Sequence, residues 1–226
     1  MYREKLQEGI QIKIIGDSIT AGSGSSDDDR SGKVILQIDG RDYKEQLGKK
    51  CWASLFASYV KGLYPVSRVV NRSCSRLNST QLKENLLQFV DEEDELVLLM
   101  IGANDRKQED GREVLAQNLD EILGYFRQLG KTVILMSYPP STMENEQKLN
   151  RYFHMDEVDR ILEEAAVRNG ISYISHYRLL LNYYREQQVT VEEMMLPEQG
   201  HHDGLHPPDL VHHLIFEQVV QKIEEH

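Results

Sequence analysis

Cysteine is nearly absent from this chain of 226 residues, which holds two cysteines, six prolines and one tryptophan. Two cysteines, Cys51 and Cys74, cannot build a disulfide scaffold, and their spacing matches no zinc or redox motif, so they read as reduced thiols. No excess of basic charge exists either. The formal net charge is −11 and the pI about 5.2, which argues against a phosphate-backbone partner and against anionic membrane surfaces. No apolar run approaches the ~18 residues of a membrane span. The N-terminus, Met1-Tyr2-Arg3-Glu4-Lys5, is charged where a signal segment would be apolar, and it is expected to run straight into a strand. These absences leave a soluble, cytoplasmic protein with no nucleic-acid or membrane partner as the simplest expectation. Oligomeric state is not legible.

What is present suits one globular domain over residues 1–226, since 40% of the residues are hydrophobic and 28% charged,. Strand and helix patterns alternate. Ile12–Ile15, with Lys13 inside it, reads as a buried strand ending at Gly16-Asp17-Ser18, followed by a loop over 23–32 that is expected to be mobile, with Asp27, Asp28 and Asp29 solvated. Val34–Ile38 and Arg41–Tyr43 flank Asp39-Gly40, a hairpin signal, giving an insertion at about 33–44. A helix over 51–64 ends before Pro65 and carries Trp52, Leu55, Phe56, Tyr59, Val60 and Leu63 at helical spacing. Strand 68–71 leads into a polar loop, Asn71 to Arg76. A helix over 80–90 follows, with Leu82, Leu86, Leu87 and Val90 as its buried stripe. Leu96–Ile101 is the most hydrophobic run, fit for a central parallel strand covered on both faces. It stops at Gly102-Ala103-Asn104-Asp105. Helix 112–129, strand 132–136, a loop over 138–150, helix 156–168, strand 171–174, helix 177–187 and a closing helix 210–223 complete the pattern. Such alternation predicts right-handed crossovers and a three-layer α/β/α sandwich around a mostly parallel five-stranded sheet, flavodoxin-like in style.

In an open sheet of this kind ligands sit at the C-terminal strand ends. Polar residues gather there: Asp17-Ser18, Asn71 to Arg76, Asn104-Asp105, and the late loop His201-His202-Asp203-Gly204-Leu205-His206. Ser18 is either a helix cap or a nucleophile. His206 suits a general base and Asp203, three residues earlier, can hold its tautomer. Asn104 offers an amide N–H, and Ser18 its backbone N–H, to a developing oxyanion. Asp17 and Asn71, at neighbouring strand ends, are candidate substrate contacts. Tyr43, Trp52 and Tyr138 are either core packing or sugar-stacking rings.

Gly16-Asp17-Ser18, Gly102-Ala103-Asn104-Asp105 and Asp203-Gly204-Leu205-His206 resemble the first, third and fifth motif blocks of the SGNH (GDSL-like) hydrolases, in order and across the whole chain. The resemblance implies Ser18 as nucleophile, His206 as base, Asp203 as its orienter and Asn104 as oxyanion donor. It implies an esterase with no metal or organic cofactor, and a small-molecule or carbohydrate ester as substrate, an acetyl ester above all. One block departs: the family's second block supplies a glycine N–H to the oxyanion hole, and the register here places Arg76 at that position. Its backbone N–H would survive, while its side chain would crowd the pocket, face solvent or offer a charge to an anionic substrate.

Other readings fit less well. His201, His202, Asp203 and His206, with His212 and His213 beyond, contain carboxylate and imidazole ligands for zinc but no His-Glu-x-x-His; His212 and His213 are expected near the surface. Phosphate-loop fingerprints are absent, and Thr20 stands where the second glycine of an α/β-hydrolase elbow belongs. An acyltransferase to a sugar acceptor would use the same residues; an inactive binding module on the same scaffold is opposed by the survival of Ser18, Asn104, Asp203 and His206.

Overall fold

The computed structural model describes residues 2–198, 200 and 202–225. Its centre is a five-stranded, wholly parallel sheet made of β1 (Gln11–Gly16), β4 (Arg68–Asn71), β5 (Asp94–Met100), β6 (Thr132–Met136) and β7 (Ser172–Ile174), in the order β4-β1-β5-β6-β7. All seven residues of β5 but Glu95 are buried, as a strand between two helical layers requires,. The five strands expected from the periodicity are the five observed. The chain moves from β1 outward to β4 and then crosses back to β5. This reversal opens a crevice at the C-terminal ends of β1 and its neighbours, where α/β sheets hold ligands.

Helices α1 (Tyr2–Glu8), α2 (Trp52–Leu63) and α10 (Asp209–Glu224) pack together, while α5 (Gly111–Gln128) packs with α3 (Ser79–Glu84) and α7 (Met155–Asn169). The hairpin β2 (Val34–Ile38) and β3 (Arg41–Lys44) forms a separate antiparallel ribbon. Its Leu36 and Ile38 face inward and are buried, which attaches the ribbon to the domain beside the Ser18 loop. Lys13 is fully buried in β1, and its Nζ reaches Asp91 Oδ2 at 2.7 Å and Asp94 Oδ2 at 3.3 Å. The pair of carboxylates compensates the burial of a charge within the sheet.

Four local expectations are corrected. The N-terminal segment forms helix α1 before the strand begins, because Tyr2 and Leu6, one turn apart, both find the core,. The expected helix over 80–90 breaks at Asn85 into α3 and a short α4 (Leu86–Phe89). The restart turns Leu87 outward, 83% exposed, and buries Phe89 instead. Leu63, at the end of α2, is also outside the apolar stripe, at 62% exposure. The loop over 138–150 contains a helical turn, α6 (Met143–Glu146), capped by the Thr142 side chain.

The loop over 23–32 is tied down at several points. Asp27 accepts the backbone N–H of Lys49 at 2.7 Å and of Lys50 at 3.2 Å, and Gln46 Nε2 donates to Asp28 Oδ1 at 2.7 Å. Asp209, at the start of α10, accepts from both Ser26 N and Ser26 Oγ at 2.7 Å. Of the aspartates read as a solvated run, Asp28 and Asp29 are exposed as expected, while Asp27 binds the loop to neighbouring backbone. Alternation of charge along the chain carries no trace of such long-range partners.

Candidate active site

Gly16 ends β1 where a side chain has no room: a Cβ would collide with Thr20 Oγ1 and lie 2.9 Å from the Met100 carbonyl oxygen. The bare backbone lets the following turn fold tightly over β5. That turn presents Ser18, half-buried, with Asp17 and Ile19 buried on either side. Gly24 plays the matching part opposite, since a Cβ there would lie 2.7 Å from the His206 carbonyl carbon. The two loops thus meet backbone to backbone, which lets two short side chains touch.

Ser18 Oγ lies 2.9 Å from His206 Nε2, and His206 Nδ1 lies 2.8 Å from Asp203 Oδ2. The other carboxylate oxygen of Asp203 accepts the backbone N–H groups of Leu205 at 3.0 Å and His206 at 2.9 Å. Partial burial would raise the Asp203 pKa; hydrogen bonds from the His206 ring and backbone overcome it and hold the carboxyl well below the usual range,. With an ionised acceptor on Nδ1–H, the Nε2 lone pair faces the serine hydroxyl. This is the arrangement in which an imidazole can take the serine proton. The late loop is itself braced, because Thr142 N donates to Gly204 O at 2.9 Å and Asn145 Nδ2 to Asp203 O at 3.3 Å.

Asn104 follows β5 and is partly buried. Lys107 Nζ donates to its Oδ1 at 2.7 Å, which fixes the amide so that Nδ2 points to Leu77 O at 3.0 Å and Asp17 Oδ2 at 3.2 Å. Asp17 is buried and accepts two further hydrogen bonds, from Tyr138 Oη at 3.0 Å and Ile19 N at 3.0 Å. Desolvation is the main cause that pushes its pKa up to about 6. The Asp17 side chain therefore faces the interior, joining β1, β5 and the Tyr138 loop, instead of reaching a substrate. Asn71 also bonds inward, donating to Thr20 O at 3.2 Å and accepting from Ser73 N at 2.9 Å, so it shapes the serine loop.

Arg76 has φ +70°, the left-handed region that favours glycine,. The conformation at this position is that of the glycine the resemblance led one to expect, carried here by an arginine. Cys74 N in the same loop donates to Gly16 O at 3.0 Å, bringing the loop alongside the serine turn. Burial pushes the Cys74 thiol up to about 12, and Cys51 is likewise buried and free; neither is poised as a nucleophile. Asp105 couples the two loops. Its carboxylate accepts Ser79 N at 3.1 and 3.2 Å, capping α3, while Asn118 Nδ2 donates to Ser79 Oγ at 2.9 Å. Behind it, buried Arg106 pairs with Glu146 at 2.8 and 2.9 Å, anchoring the Asn104 turn to α6.

Of the three candidate rings, Trp52 and Tyr138 are buried, and only Tyr43 lines a cleft. His213 is exposed beside Glu217, but His212 is fully buried, which corrects the surface expectation. It accepts from Trp52 N at 3.4 Å and donates from Nε2 to Ser23 O at 3.2 Å, clamping α10 to α2 and the serine loop. His201 lies outside the described residues, and among the described residues no group of three His, Cys, Asp or Glu side chains converges on a metal-sized site. Sequence reading missed Lys107 and Asn145, and left Tyr138 open between core packing and sugar stacking; it is core, held through Asp17.

Burial lowers the His212 pKa to about 4 from 6.5. As pH falls below 6.5, the unfolded chain binds a proton there that the native chain refuses, so stability drains away until about pH 4,. A His212→Gln variant is expected to show a shallower loss of melting temperature than the wild type across this window, the difference amounting to about 2–3 kcal/mol. Parallel melting curves would remove His212 from the acid response.

A parallel sheet with a serine, an imidazole and a carboxylate in hydrogen-bonded sequence at its C-terminal edge defines a hydrolase scaffold built for acyl groups. The profile of the GDSL-like lipase/acylhydrolase family matches residues 14–214. The chain belongs to that family and is a carboxylic ester hydrolase. Among solved structures, an acetylxylan esterase from Geobacillus stearothermophilus superposes with a TM-score of 0.68 at 19% identity, covering 96% of each chain. An α/β-hydrolase enzyme from the metagenome of Lake Arreo, Spain, gives a TM-score of 0.70 at 20% identity, covering 96% of this chain and 95% of that one. At these identities the likeness is one of fold. No curated protein matches the chain in sequence. Among the described residues, no helix is long and apolar enough to cross a membrane.

Proposed function

We propose that the chain is a serine esterase that removes a small acyl group, an acetyl ester on a carbohydrate above all, through an acyl-enzyme. The observation that carries this reading is the unbroken relay of 2.9 Å from Ser18 Oγ to His206 and 2.8 Å from His206 to Asp203. Ser18 Oγ attacks the carbonyl carbon as its proton passes to His206 Nε2, and Asp203 stabilises the imidazolium. The oxyanion is held by the backbone N–H groups of Ser18 and Arg76 and by Asn104 Nδ2. Collapse of the tetrahedral adduct breaks the C–O bond to the alcohol, which leaves with the proton from His206. Water then attacks the acyl-Ser18 ester, with His206 as base, releasing the acid and restoring Ser18.

Support for a small acyl group comes from the space beside the relay. The cleft bounded by Gly24, His202, Asp203 and His206 holds only about 250 Å³, and among the described residues these walls are polar or small, with no apolar side chain to take a lipid tail. The acetylxylan esterase with the same fold is in keeping with this reading. Kinetics on p-nitrophenyl esters of rising chain length test it: kcat/KM is expected to fall at least about tenfold from acetate to octanoate, since a long chain would leave apolar surface in water. A rise with chain length would overturn the small-acyl assignment.

A further inference from the structure

Resting on the esterase reading above, we propose that the substrate is an ester of an anionic sugar, whose carboxylate or phosphate is received by an arc of cations around Ser18 formed by Arg41, Arg76, Lys107 and Arg151. Four separate segments supply these residues. Arg41 and Arg76 line one cleft of about 390 Å³ together with Tyr43, Ser75 and Ala21, beside the serine loop. Lys107 follows on the next strand end, held at 2.7 Å from the Oδ1 of Asn104. Arg151 precedes Tyr152, whose backbone N–H donates to Arg106 O at 2.9 Å beside the Lys107 turn, and its Nε is buried without an acceptor among the described residues.

None of the four has a carboxylate within 4.0 Å among the described residues, although acidic residues outnumber basic ones by 37 to 26 in the chain. Unpaired cations gathered at one edge of an acidic protein focus a positive potential there. Their proximity is felt in titration as well: burial, and then the charge of Arg151, lower the Lys107 pKa against the opposing charge of Asp17, with Arg76 adding to the lowering. The nearby carboxylates are already committed. Asp17 is buried and accepts three hydrogen bonds, Asp203 is bound to His206, and Asp42, in the wall of the Arg41 cleft, accepts Gln37 Nε2 at 3.0 Å. Guanidinium groups in such a setting suit the planar or tripodal oxygens of a carboxylate or phosphate. The arginine at the left-handed position of the second loop thus has a use that a glycine would not provide.

The test compares kcat/KM for two matched pairs: O-acetyl glucuronate against its methyl ester, and O-acetyl glucose 6-phosphate against O-acetyl glucose. Within at least one pair the charged member is expected to lead about tenfold at low salt, the pair that responds distinguishing carboxylate from phosphate. The lead should shrink severalfold in 0.5 M NaCl, as screening requires. In Arg41→Gln/Arg151→Gln, both outside the reacting groups, the lead is expected to fall to about twofold while turnover of the neutral ester stays within twofold of wild type. Equal rates within both pairs, or faster turnover of the neutral members, overturn the anionic substrate and leave the esterase reading intact. Loss of turnover on all four esters would count against the esterase reading instead. Ligand-detected NMR of glucuronate against methyl glucuronate, and of glucose 6-phosphate against glucose, then decides the charge preference by itself, with binding of neither anion overturning it.

Discussion

Ser18→Ala is expected to lower kcat by at least about 10⁴-fold while leaving the melting temperature within a few degrees of wild type. The size follows from the unit that is broken: when nucleophile, base and orienting acid act together, removing one costs nearly as much as removing all. Stability should survive because Ser18 is only half-buried and, among the described residues, its side chain bonds to His206 alone. Labelling with a serine-reactive fluorophosphonate and peptide mapping gives the companion measurement. Wild type should carry a single adduct on Ser18, and His206→Ala should carry almost none, since the hydroxyl would then lack its proton acceptor. An adduct on another serine, or full activity in Ser18→Ala, would sink the assignment.

Asn104→Ala is expected to reduce kcat by about 10²–10³ with a much smaller change in KM, as for the loss of one oxyanion donor. In the resting site the Nδ2 hydrogens are engaged by Leu77 O at 3.0 Å and Asp17 Oδ2 at 3.2 Å. The longer of these two bonds is the one an oxyanion would share, and Lys107 on Oδ1 keeps the amide facing that way. A charge that develops only in the transition state gains from this donor; a neutral ground-state carbonyl gains little, hence the weight on kcat. Single-turnover measurements isolate the chemical step. An Asn104→Ala enzyme with normal kcat would take the residue out of the oxyanion site.

Much of this architecture was readable from local pattern. The five strands are short apolar runs, and their order along the chain with intervening helices leaves few topologies other than a parallel sheet between two layers. The site was readable for the same reason. In such a sheet every C-terminal strand end faces one edge, so Ser18 and Asn104 had to approach one another, whereas the loop with Asp203 and His206 lies between two helices and is brought there by packing. Errors fell where a short segment has no period of its own. Seven residues of α1 and the four of α4 are too few for periodicity to show, and only packing decides that Phe89 turns in and Leu87 out.

Spacing and residue type therefore determine the strand pattern, the candidate site residues and the family, because each depends on a few neighbouring residues and a strand direction. Tertiary structure alone decides what each polar side chain meets. It buries Asp17 against Tyr138 and Asn104, turns Asp27 onto the backbone N–H groups of Lys49 and Lys50, buries His212, and sets Arg76 at φ +70°. These outcomes depend on distances between residues far apart in the chain. A hydrogen bond or a charge acts over a few ångströms in space, and no local periodicity records which atoms folding will bring that close.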